Sequence, residues 1–86
     1  MNVQYLVNGK LFKGFIIDIS PGGAFIECPR EVLQKMTFNL PVTLTFDSAD
    51  KKTHIKTSGI IKRLADSGLG IGFDTEIPQL ASVAAF

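Results

Sequence analysis

Apolar and polar residues alternate along most of the chain, which is the pattern of β-strands that bury one face. The alternation begins with Val3, Tyr5 and Val7 and runs into Asn8-Gly9. Asn-Gly favours a two-residue hairpin, because both central positions of a type I′ turn need positive φ. The alternation, with its glycine and proline breaks, predicts six strands, at about residues 3–7, 10–19, 23–28, 40–46, 53–64 and 69–73.

The most informative stretch is residues 14–26, where two apolar strands are joined by a polar corner. Asp18 and Ser20 lie two positions apart, so they share one face of an extended chain. Pro21 restricts φ, and Gly22 and Gly23 can adopt the positive φ that other residues resist. The corner therefore brings together a carboxylate, a hydroxyl and backbone N–H groups, and we interpret it as a binding edge.

Two stretches have helical spacing instead. Val32, Leu33 and Met36 predict one helical turn laid over the core. After Thr75, which can cap a helix, an apolar stripe predicts a short amphipathic C-terminal helix, with Pro78 in its first turn. The stripe consists of Ile77, Leu80, Ala81, Ala84 and Ala85. We expect it to pack on the rest of the fold or on another subunit.

These elements predict a mostly β fold, a small six-stranded antiparallel β-barrel with a short C-terminal helix. The 86 residues form a single domain, 1–86, by length. Closure of the barrel would remove exposed strand edges, which a sheet this apolar could not safely leave open.

Composition excludes several classes of function. Nine Lys and Arg against eight Asp and Glu leave a net charge of +1, which argues against a dedicated binder of nucleic-acid polymers. The single cysteine, Cys28, cannot form an intrachain disulfide, and the chain contains neither a signal-peptide pattern nor an apolar run of about 20 residues. These features predict a cytoplasmic protein without a membrane span. Cys28 and His54 form no recognisable catalytic or metal-binding pattern, so we predict no enzymatic activity and no cofactor.

Two further features have both a functional and a structural interpretation. A basic group could attract anions, but it is spread over a loop and two strand faces, which favours a role in solubility and protection of strand edges. Its members are Lys51, Lys52, Lys56, Lys62 and Arg63. The phenylalanines are expected mostly at core-facing positions, which leaves no stacking platform for an oligonucleotide-binding barrel. That class is the third and weakest hypothesis for function.

The order of these features resembles the PilZ domain family. The family's short motif is Asp or Asn, any residue, Ser, two residues and Gly, and here it occurs as Asp18-Ile-Ser-Pro-Gly-Gly23. The similarity continues through the Leu40–Phe46 strand, Gly59-Ile-Ile-Lys-Arg63 and Gly68-Leu-Gly-Ile-Gly-Phe73. It covers nearly the whole chain.

The resemblance implies a bacterial six-stranded barrel with a C-terminal helix that serves as a receptor for cyclic di-GMP. The ligand contacts it implies are Asp18, Ser20 and Gly23, and Gly22 belongs to the same corner. Arg63, at the end of the long strand, can face the ligand, although a solvated strand end is the expected alternative. The family also carries a pair of arginines upstream of the barrel. This sequence departs from that pattern, because no arginine precedes Arg30.

Two main hypotheses follow. In the first, the protein is a cyclic di-GMP effector with a weakened or incomplete site that relays binding to a protein partner. In the second, it is a divergent adaptor that binds no nucleotide and acts through protein–protein contacts, in motility or surface behaviour, as a monomer or weak homodimer. A purely structural interpretation also stands for the corner, in which Asp18 and Ser20 bond local backbone and Gly23 supplies geometry.

Overall fold

The computed structural model describes residues 1–47 and 52–75. These residues form six β-strands and one short helix: β1 (Asn2–Val7), β2 (Lys10–Ser20), β3 (Gly23–Glu27), α1 (Arg30–Leu33), β4 (Pro41–Asp47), β5 (His54–Leu64) and β6 (Gly68–Phe73). Each strand lies within one residue of its predicted bounds.

The strands pair antiparallel in the order β1-β2-β3-β6-β5-β4 and close into a barrel, with β4 pairing back to β1. The predicted mostly β barrel is therefore confirmed. The predicted C-terminal helix lies outside the described residues. The β1–β2 connection is the predicted hairpin, since Asn8 and Gly9 have φ of 51° and 77°.

The inward face of each strand supplies the core. The fully buried side chains come from five different strands: Tyr5, Ile26, Leu44, Ile61 and Leu69. The predicted helical turn is also confirmed, because α1 places Val32 and Leu33 against this core and Met36 is buried just beyond it.

The expectation that the phenylalanines mostly face the core holds for half of those in the described ranges. Phe46 is buried, and Phe12 and Phe73 pack against the core. Phe15 and Phe38 are instead 49% and 61% exposed, and Phe25 is half-buried. In β2 the inward position belongs to Ile16, which pairs with the buried Ile26, so the preceding Phe15 points outward.

Two β-bulges change which side chains of their strands point toward the core. The β2–β3 register shifts between Ile16 and Asp18, and the β5–β6 register shifts between Ile61 and Arg63. In a regular strand, residues two apart share a face, so Asp18 and Arg63 would lie in the core beside Ile16 and Ile61. The extra residue in each bulge places both charged side chains on the outer surface instead, where both are exposed.

Candidate ligand-binding site

An open concavity of about 360 Å³ lies on the outer face of the barrel at the β2–β3 corner. All of the site residues predicted from the sequence line it: Asp18, Ser20, Gly22, Gly23 and Arg63. Phe25 and Gly70 form part of its floor. The fold therefore brings Arg63 to the corner, although it is remote from the corner in sequence.

A row of paired residues crosses four neighbouring strands and organises the site. Asp18 on β2 pairs with Phe25 on β3, Phe25 pairs with Gly70 on β6, and Gly70 pairs with Arg63 on β5. Adjacent strands lie about 4.8 Å apart, so the row spans roughly 14 Å. A carboxylate stands at one end of the row and a guanidinium at the other.

Arg63 is held across this row by the aromatic ring of Phe25. Its Cζ atom lies 5.6 Å from the ring centroid, within the range of a cation–π contact. Gly70 makes room for the contact, since a Cβ built on it would lie 3.1 Å from Arg63 Cβ. At an exposed position such a contact contributes about 0.5–1 kcal/mol, which orients the guanidinium without locking it.

The polar side chains of the corner, Asp18 and Ser20, make no strong hydrogen bond within the described part of the protein. Asp18 is exposed and makes no hydrogen bond or ion pair with the residues that the structure describes. The Ser20 hydroxyl donates to the Gly23 carbonyl oxygen at 3.5 Å, which is long for such a bond. Both groups can therefore engage a ligand without breaking a strong internal contact.

The corner glycines do not need positive φ. Within residues 1–47 and 52–75, Gly9 is the glycine with positive φ, so the expectation for Gly22 and Gly23 is corrected. Gly23 is instead required by the close approach of β3 to β6, because a Cβ there would lie 2.3 Å from the Ile71 carbonyl oxygen. A Cβ on Gly22 would meet nothing within 4 Å.

The sequence does not identify Phe25 as a residue of the site, because its outward facing depends on the pairing with Asp18 that follows the β2 bulge. Lys62, which the sequence places in a diffuse basic group, lies beside the site. Its aliphatic stem lies over Gly72, where a Cβ would come 3.0 Å from Lys62 Cγ. The glycines on the outer face of β6 are thus partly covered by Lys62 and Arg63.

A second concavity, of about 590 Å³, is lined by Lys13, Asp47 and His54 and contains none of the site residues predicted from the sequence. Cys28 is buried, and burial raises the pKa of its thiol. His54 contacts Asp47 through its Nδ1 atom on the outer surface, so it does not act on that thiol. No group of three or more His, Cys, Asp or Glu residues in the described part of the chain could hold a metal ion. The helix within the described ranges is also too short to cross a membrane.

A closed antiparallel barrel with a polar concavity beside an Asp-x-Ser corner defines a small binding or adaptor module. The family model of the PilZ domain matches residues 1–84, and the chain belongs to that family. PilZ domains are non-enzymatic signalling modules that bind cyclic di-GMP or act as adaptors. No match was found among curated proteins or among solved structures.

Proposed function

We propose that this protein is a non-enzymatic bacterial, cytoplasmic signalling module that binds cyclic di-GMP at the β2–β3 corner and relays binding to a protein partner. The observation that supports this most is the convergence of Asp18, Ser20, Gly23 and Arg63 on one concavity. Its volume of about 360 Å³ falls within the usual range for small-molecule sites.

The chemistry of the site suits a guanine base with adjoining phosphate. A carboxylate such as that of Asp18 accepts hydrogen bonds from the N1–H and exocyclic amine of guanine, and charge-assisted bonds of this type are strong. The guanidinium of Arg63 can donate two parallel bonds to guanine O6 and N7 or to phosphate oxygens. The Ser20 hydroxyl and the corner backbone add donors between these two charges.

The affinity should be weaker than a complete family site would provide. The arginine pair is absent from this sequence, and each bidentate contact of that kind contributes on the order of 2–3 kcal/mol. Loss of two contacts lowers affinity by several powers of ten. Lys13 does not replace them, because it lines a different concavity with Gln4 and Asp47.

Isothermal titration with cyclic di-GMP tests this function. We expect the unmodified protein to bind, and Asp18→Ala to lose binding with little change in the thermal melt, because Asp18 is exposed. Glu27→Ala is the matched control, since Glu27 is an exposed carboxylate on β3 outside the concavity. Absence of heat at millimolar ligand would reject the receptor function, and loss of folding in Asp18→Ala would make the corner structural.

A second function, a protein-binding adaptor that needs no nucleotide, is favoured by exposed apolar side chains on the β1–β2 hairpin. Leu6 and Leu11 pair directly across the hairpin and are 42% and 61% exposed. Phe15 and Ile17 are two further exposed apolar residues of β2, separated from Leu11 by the exposed Lys13. Several exposed apolar side chains on one strand pair of a small domain are typical of a protein-interaction site.

Separate variants distinguish the two functions. For an adaptor, Leu6→Ser with Leu11→Ser should abolish recovery of a specific partner from the source bacterium, whereas Asp18→Ala should not. A partner whose recovery depends on added cyclic di-GMP and is lost in Asp18→Ala would support the receptor function instead. Sedimentation velocity of the same variants would test whether the protein is a monomer or a weak homodimer through this surface.

A further inference from the structure

We propose that Lys62, whose stem lies over Gly72 beside the concavity, forms together with Arg63 a two-cation subsite for the phosphate groups of the ligand. This inference rests on the proposed receptor function and names the residues that recognise the anionic part of the ligand. Lys62 would then have a defined role beside Arg63, distinct from that of the other basic residues.

The site is built from two parallel rows of paired residues. The first row runs from Asp18 to Arg63, as described above. In the second row, Ser20 pairs with Gly23 and Gly23 pairs with Gly72, and the stem of Lys62 lies over that last glycine. Residues two apart on a strand are separated by about 7 Å, so the rows lie side by side. Each row begins with an oxygen acceptor on β2; the first ends at Arg63, whereas in the second Gly72 pairs with Ile60 and Lys62 reaches Gly72 only through its side chain.

The bulge in β5 is what places two consecutive cations on the same face. In a regular strand, Lys62 and Arg63 would point to opposite sides of the sheet. The register shift between Ile61 and Arg63 makes Lys62 the extra residue, and both cations are exposed. Their stems lie over Gly72 and Gly70, two positions on the same outer face of β6.

Neither cation is neutralised by a carboxylate in the described ranges 1–47 and 52–75. Lys62 makes no ion pair there, and Arg63 contacts the Phe25 ring instead. The carboxylate that lines the concavity, Asp18, stands at the opposite end of its row. Two adjacent uncompensated cations favour an anion between them, and phosphate oxygens are suitable acceptors for both head groups.

The decisive variant is Lys62→Met, which keeps an unbranched apolar stem over Gly72 and removes the charge. Lys56→Met is the matched control, because Lys56 is an exposed lysine of the same strand before the bulge, paired with Thr45 and outside the concavity. We expect Lys62→Met to weaken cyclic di-GMP binding by about 5- to 20-fold in isothermal titration. Lys56→Met should change it less than about twofold.

The salt dependence of cyclic di-GMP binding distinguishes a direct role of the Lys62 charge from a purely structural role of its side chain. The plot of log Kd against log salt concentration for cyclic di-GMP should become shallower in Lys62→Met, because salt screens the attraction between an exposed cation and phosphate. The slope should be unchanged in Lys56→Met. Thermal melts of both variants should match the unmodified protein, because both side chains are exposed.

Gly72→Ala tests the position of Lys62 rather than its charge. The new Cβ would lie 3.0 and 3.1 Å from Lys62 Cγ and Cε, so it should displace the flexible stem. We expect weaker binding in Gly72→Ala and no additional loss when it is combined with Lys62→Met. Additive losses would show that Gly72 contributes independently of Lys62 and would overturn this placement.

The binding measurements can reject the two-cation subsite without rejecting the receptor function. If the unmodified protein binds and Asp18→Ala does not, but Lys62→Met binds with unchanged affinity and salt slope, the two-cation subsite is wrong and the receptor function stands. If the unmodified protein binds no cyclic di-GMP, both are overturned. Weakened binding with a reduced salt slope in Lys62→Met supports both.

Discussion

The interior of the barrel contains a polar pair whose ionisation is coupled to folding. Tyr5 is fully buried, and its hydroxyl lies near the Cys28 thiol but has no hydrogen-bond partner of good geometry in the described part of the chain. Desolvation raises the pKa of the Tyr5 phenol, and the neighbouring thiol raises it further. Desolvation also raises the pKa of Cys28, although its contact with Tyr5 partly offsets that shift.

These raised pKa values predict loss of stability at alkaline pH. The folded protein retains both protons where the unfolded chain has released them, so the free energy of unfolding falls as pH rises. The loss should begin above about pH 8.5 through Cys28 and steepen above about pH 10 through Tyr5. Each group contributes up to about 1.4 kcal/mol per pH unit. Urea titrations between pH 7 and pH 11 measure this decrease in the free energy of unfolding.

Tyr5→Phe is the control for this prediction. It should reduce the loss above about pH 10 while leaving stability at pH 7 unchanged or slightly higher, because a buried hydroxyl without a strong partner costs about 1–3 kcal/mol. An alkaline slope identical to that of the unmodified protein would contradict the assignment to Tyr5.

We predict that cyclic di-GMP binding depends on the planar guanidinium of Arg63 and not only on its positive charge. Arg63→Lys keeps the charge but loses bidentate donation and the flat contact with Phe25. We expect cyclic di-GMP affinity to fall about tenfold, with less than about 1 kcal/mol lost in stability. Arg30→Lys, at the exposed start of α1, is the matched control in the same titration and melt. Equal effects of the two variants would reject the role of Arg63.

Alanine substitutions at the two corner glycines should differ in their effect on stability, because only Gly23 lies against a neighbouring strand. Gly23→Ala places a Cβ 2.3 Å from a β6 carbonyl oxygen, so the β3–β6 pairing must shift. We expect it to lower the free energy of unfolding by about 1–3 kcal/mol. Gly22→Ala meets no neighbour and should change it by less than about 1 kcal/mol in either direction. Equal destabilisation in urea titrations would contradict the close approach at Gly23.

The extents of the elements could be predicted from sequence, but the bulges could not. Alternation and turn residues act locally, which is why the strand bounds agree within one residue. Phe15, Ile16 and Ile17 are all apolar, so the sequence does not say which of them faces the core. The pairing of Ile16 with Ile26 settles this, and with it the facing of Asp18.

Closure of the barrel makes the core a single cooperative unit, which predicts unequal effects of two leucine truncations. Leu44 is fully buried on β4, the strand that closes the barrel onto β1. Leu44→Ala should cost about 2–5 kcal/mol, a large share of the stability of a domain this small. Leu11→Ala, at a leucine that is 61% exposed, should cost less than about 0.5 kcal/mol. Comparable unfolding midpoints in urea would contradict the assignment of Leu44 to the core.

The sequence by itself determined the strands, the Asn8-Gly9 hairpin and the polar corner with Asp18 and Ser20, because these depend on alternation and turn chemistry within a few residues. Only the tertiary structure decided that β3 lies beside β6 and that β4 closes onto β1. It also decided that two bulges turn Asp18 and Arg63 outward. Long-range register is set by how inward side chains pack across strands, and this packing is what places a distant arginine and lysine opposite the corner.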